Sequence, residues 1–183
     1  MSRFGEAGWI TSILYFLTSK FMGKAVFTKD IENHRMTVEK IFDAPREKVW
    51  RAYTESDILD QWWAPKPWTS ETKRFDFREG GQWLYAMVSP EGQKFWAIID
   101  YGAIEPGVSF VADDSFCDEE GNKNNDIPST HWKDEFFEED GKTRVVHTLT
   151  FTDAAAMETI IKMGFEEGFA MGIENLEELL PSL

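Results

Sequence analysis

One stretch at the end of the chain constrains the fold more than any other. Asp153 can cap a helix that runs to about Leu180, where Pro181 ends it. Nothing upstream has comparable helical length. The first strong element is a strand, "RMTVEKIFDA", in which Met36, Val38, Lys40 and Phe42 alternate with Thr37, Glu39 and Ile41. Pro45 suits a first helical turn, "REKVWRAYT" follows as a short helix, and Ser56 or Asp57 can cap a second, "DILDQWW". Strands and turns then succeed one another: "TSETKRFDF", "REGGQ", "WLYAMV", "SPEGQK", "FWAIIDYGAIE", "VSFVADDSF", "HWKDEFFE" and "TRVVHTLTF". A sheet of that extent must cover its apolar face, and the last helix is the one element long enough to do so. The expected class is therefore α+β.

That helix carries Gly164, Gly168 and Gly172 four residues apart. Each internal glycine costs roughly 1 kcal/mol relative to alanine. At 100° per residue the three share an apolar half with Met157, Ile160, Ile161, Phe165, Met171, Asn175, Leu176 and Leu179. Glu166, Glu167, Glu174, Glu177 and Glu178 lie opposite, so the glycine strip is expected to face the sheet. Two readings are open: close helix–sheet packing, or one wall of a cavity.

With 183 residues, 42% of them apolar, the chain can bury one real core. Its net charge of −14, with no run of basic residues, argues against nucleic acid and anionic membranes as partners. Cys117 is the one cysteine and fits a reducing, cytoplasmic setting. Three dispersed histidines signal no metal site. Near the N-terminus, "WITSILYFLTS" has the length of a signal-peptide core but is too short to span a bilayer. Residues 1–21 read as an extension, open to three explanations: an upstream start ahead of Met22, a docked helix, or a true signal. Residues 22–183 form a single domain.

The last hairpin can be placed in register. If Asp140 and Gly141 are the two loop residues, Glu139 pairs with Lys142, and paired numbers sum to a constant. Phe136 then lies opposite Val145, Asp134 opposite His147, and Trp132 opposite Leu149, all on one inward face. An acid beside an imidazole in apolar surroundings has three readings: a self-satisfied structural pair, an anchor for a ligand's polar end, or an acid/base pair. Trp83, Tyr85 and Met87 share a face and read as pocket wall or ordinary core. Arg74, Asp76 and Arg78 read as a solvated face, or as pocket lining if the strand is inverted. Of Trp62 and Trp63, one packs inward and the other either packs or closes a pocket mouth. His34 and His131 read as strand-end or surface residues.

"IFDAPREKVWRAYTESDILDQWWAPKPW" resembles the opening of the activator of heat-shock protein 90 ATPase homologue (AHSA1-like) family, within the START-like (SRPBCC) superfamily. The residues that carry the likeness are Ala44-Pro45, Val49-Trp50, Ala52, Thr54, Leu59 and Trp62-Trp63, with "DFREGGQW", "SPEGQ" and "AIEP" further on. The resemblance implies a helix-grip (Bet v 1-like) fold. In it a curved antiparallel sheet of about six to seven strands wraps a long C-terminal helix around an apolar cavity, with two short helices after the first strand. Two departures stand out. The family's Gly-Trp in the last helix is Gly168-Phe169 here, and no separate chaperone-contacting domain fits in 21 extra residues. The function expected is binding of a small apolar ligand, with no cofactor. Trp83, Tyr85, Met87, Trp132, Asp134, Phe136, His147, Gly164, Gly168, Met171 and Gly172 are the candidate ligand-binding residues. Two alternatives are a cyclase/dehydrase-type enzyme using Asp134, His147 and Tyr85, and a chaperone-interacting module.

Overall fold

Period-two alternation builds the strands of this computed structural model, which describes residues 23–183. The expectation for residues 1–21 lies outside them. Strand β2 (Arg35–Phe42) buries Met36, Val38, Lys40 and Phe42 and leaves the intervening residues partly accessible. It is preceded by β1 (Val26–Asp30), a short strand not expected from the sequence. After helices α1 (Arg46–Thr54) and α2 (Ser56–Trp62) come six further strands. These are β3 (Thr69–Phe75), β4 (Gln82–Val88), β5 (Lys94–Glu105), β6 (Ser109–Phe116), β7 (Thr130–Glu139) and β8 (Lys142–Thr150). Together they make one eight-stranded antiparallel sheet in the order β1-β2-β8-β7-β6-β5-β4-β3, one strand more than the upper expectation.

The β7–β8 hairpin has the expected register. Asp140 and Gly141 take φ of 52° and 77°, the double positive-φ turn whose twist matches the flanking strands. Glu139 pairs with Lys142, Phe136 with Val145, Asp134 with His147 and Trp132 with Leu149. At the other end of the sheet β3 contains a bulge between Thr72 and Arg74. Arg74, Asp76 and Arg78 are exposed, while Phe75 and Phe77 pack on the core, so the solvated reading of the polar three holds.

Neither Ser56 nor Asp57 caps α2: the N-cap is Glu55, without a side-chain cap bond, and Asp57 instead places its charge in the first turn. Asp153 does cap the C-terminal helical segment, accepting from the Ala156 amide at 2.8 Å. That segment is not one rod. It is divided into α3 (Ala154–Lys162) and α4 (Phe165–Leu179) by Gly164, which sits in the left-handed region at φ 87°. An L side chain there would be strained, so this glycine makes the break.

The break also corrects the glycine strip. Helical phase does not carry across Gly164, and α4 buries Phe169, Gly172, Ile173, Asn175 and Leu176. Met171 is exposed, 41% accessible. The strip does not press on the sheet. A Cβ on Gly172 would stand 3.2 Å from the Trp63 carbonyl and 3.5 Å from that of Trp62, so this glycine lets α4 seat on the end of α2. Asn175 completes the joint, its Nδ2 donating to the Trp62 and Ala64 carbonyls at 3.3 and 3.0 Å. Buried Lys40 ties α4 to β2, donating to Glu177 Oε2 at 2.7 Å and to the Gly23 carbonyl at 3.1 Å.

Candidate ligand-binding site

Held against α2 in this way, the terminal helices leave a space over strands β4 to β7. It is a cavity of about 380 Å³, within the usual range for small-molecule sites. The floor is the inner face of the sheet. Tyr85 of β4 pairs with Ala97 of β5, which pairs with Phe116 of β6, so all three share that face. Asp114 and Thr130 are cross-strand partners one step along it. Ala97 keeps the floor low between two larger rings. The roof comes from α3 and α4 through Ile160, Phe165, Gly168 and Phe169, and Trp63 with Pro65 closes the side toward α2. Eight of the described lining residues are aromatic. Two of the residues that border the cavity, Phe95 and Met163, are 46% and 52% exposed and mark its open rim.

Trp62 and Trp63 take different parts. Trp62 is buried and donates its indole N–H to the Ala52 carbonyl at 2.9 Å. Trp63 lines the cavity and donates to the Tyr85 hydroxyl at 2.9 Å. Burial pushes the Tyr85 phenol well above its ordinary range. Trp132 also lines the cavity, edge-on to Phe165 and Phe169, and its indole N–H has no hydrogen-bond partner among the described residues.

Asp134 and His147 sit deeper. His147 is fully buried, with Nδ1 2.8 Å from Asp134 Oδ1 and Nε2 3.2 Å from the Tyr53 hydroxyl. The Tyr53 phenol is held well above its usual range, first by burial and then by the nearby Asp134 charge. The three form a closed chain in which each ring nitrogen has a partner. Asp134 and Trp83 border a second void of only about 20 Å³, on the other side of Trp63 and Trp132. That volume holds little more than a water molecule.

The candidate residues therefore separate. Tyr85, Met87, Trp132, Gly164 and Gly168 line the large cavity, and Trp83 and Asp134 the small one. Phe136 and His147 lie in the core, Gly172 lies against α2, and Met171 faces out; none of the four borders either space. Tyr85 is thus in a different space from the acid–imidazole pair. His131 is at the surface, its Nδ1 2.8 Å from Asp113, and His34 occupies the β1–β2 turn at φ 49°. Asp114 and Phe169 also line the large cavity, beyond the candidates expected from the sequence. Burial pushes the Asp114 carboxyl up to about 7, opposed by the Ser115 amide and the charge of Lys123.

Among the described residues no cluster of His, Cys, Asp and Glu could hold a metal ion, and no helix is long and apolar enough to cross a membrane.

No curated protein matches the chain. Solved structures do. A solution structure of a protein from Arthrobacter aurescens superposes with TM-score 0.81 at 28% identity, covering 86% of this chain and 92% of that one. A crystal structure of a Mycobacterium smegmatis protein gives 0.79 at 29%, covering 85% and 96%. An AHSA1 protein from Silicibacter pomeroyi shares the fold at TM-score 0.65 and 20% identity, covering 80% and 97%. Residues 43–181 match the family described as activator of Hsp90 ATPase homolog 1-like protein. With an open antiparallel sheet, two short helices after the β2 strand, a helical C-terminal segment and a cavity between, the chain belongs to that family.

Proposed function

We propose that this protein binds a small, largely apolar molecule in the cavity between the sheet and the terminal helices. The observation that carries the reading is the cavity itself, about 380 Å³ with aromatic walls and an accessible rim. Burying a ring-sized ligand there removes apolar surface from water on both sides, at roughly 25 cal/mol per Å². The wrapping of the sheet around the helices, and a cytoplasmic location, belong to the same proposal.

Native mass spectrometry of the purified full chain tests it: a mass increment that disappears on denaturation is the expected result. Ala97→Phe would fill the floor between Tyr85 and Phe116 and should abolish the increment while circular dichroism stays unchanged. A chain that carries no ligand and binds none from an apolar fragment library refutes the reading.

A further inference from the structure

Among the described residues Asp114 is the one carboxyl in the cavity wall, and the described lining contains no lysine, arginine or histidine. Its position follows from strand alternation. Phe110, Ala112, Asp114 and Phe116 share the inner face of β6, with Ile99 and Thr130 opposite Asp114 on the neighbouring strands. No described side chain donates a hydrogen bond to it. The charged or titratable groups that face it are Tyr85 from β4, Cys117 just past the end of β6 and Lys123 from the loop at 118–129. Lys123 is already engaged, its Nζ 2.6 Å from Asp100 Oδ2.

We propose that the cavity selects hydrophobic amines: a ligand ammonium pairs with Asp114 while the rings of Trp63, Tyr85, Phe116, Trp132 and Phe169 enclose the apolar body. The inference rests on the cavity reading and narrows it to one ligand class. A cation suits this site for two reasons. Aromatic faces attract cations, most strongly where water is excluded. A carboxylate in apolar surroundings, held by one backbone amide and with Lys123 already engaged by Asp100, gains from a counter-ion that no described side chain places against it. An anionic ligand would meet Asp114 as a like charge, and a neutral one would strip water from the carboxylate without replacing it.

Two probes of matched shape separate the possibilities: naphthylethylamine, cationic at neutral pH, and naphthylethanol, which is neutral. Binding to the full chain is measured by titration calorimetry. At about pH 8 the amine should bind about tenfold tighter or more, as expected for a hydrogen bond to a charged group. Asp114→Asn should remove that preference while naphthylethanol still binds, at least as tightly as to the wild type because no carboxylate is left to desolvate. Should the variant not fold, the wild type decides alone: the preference should vanish by about pH 5, where Asp114 is protonated. Equal binding of both probes, or a preference that survives in Asp114→Asn or at low pH, overturns the inference and leaves the cavity reading standing. Failure of both probes to bind overturns the two together.

Discussion

Replacing Asp114 by Asn should stabilise the protein at alkaline pH and do nothing at acid pH. The carboxyl's ordinary value is 3.8 and burial raises it to about 7. Between those values the folded state holds a proton that the unfolded state has lost. Stability therefore falls as pH rises from about 4 to about 7, and is level beyond. A separation of roughly three pH units corresponds to about 4 kcal/mol in full. Asp114 is only partly buried, on the wall of an open cavity, and solvent screening reduces this to roughly 2 kcal/mol. The isosteric amide never ionises, so the variant avoids the loss. For a chain of this length, about 2 kcal/mol raises Tm by roughly 4–8 °C. Thermal melts followed by circular dichroism from about pH 4 to pH 9 should show the variant gaining on the wild type through neutrality, the two curves meeting near pH 4. A gain that is the same at every pH, or a variant less stable at pH 8, would refute the argument that burial holds this carboxyl high.

Three further substitutions test the architecture. His147→Ala leaves the Asp134 carboxylate and the Tyr53 hydroxyl buried without their partner and should lower urea-unfolding stability by about 3–5 kcal/mol. Gly164→Ala forces a Cβ into the left-handed region at the α3–α4 break and should cost roughly 1–2 kcal/mol in the same assay. Lys40→Met removes a buried ammonium while keeping its volume, and should stay within about 1 kcal/mol of wild type or exceed it, whereas Glu177→Ala, which leaves the ammonium without its carboxylate, should destabilise measurably.

What could be read in advance depended on how far a local rule reaches. The Asp140-Gly141 turn is a two-residue loop, and a two-residue loop dictates every pairing along both strands, so the Asp134–His147 contact was legible from the chain alone. The same alternation rule could have found Asp114, since Phe110, Ala112 and Phe116 share its face. An Asp-Asp pair looks equally polar from either side, so composition alone does not mark Asp114 as the inward member. Phe169 is hidden for a different reason. A constant helical phase does not survive Gly164: one left-handed residue rotates everything after it, bringing Phe169 and Ile173 inside and Met171 out. β1 is five residues long, three of them polar, too short for periodicity to identify. The partition of the candidates between two voids depends on Trp63 and Trp132, which border both, and contacts between α2 and β7 have no one-dimensional signature.

The hairpin tip has an effect far from where it lies. Asp140 and Gly141 touch neither void, yet their number acts as a gauge for the interior. Lengthening the tip by a single residue, with β8 kept in place against β2, would slide β7 by one position. Lys133 and Glu135 would then point onto the aromatic inner face of the sheet, and Asp134 would be expelled to water. Tolerance to insertion, ordinarily greatest at exposed loop tips, should here be lowest at this one.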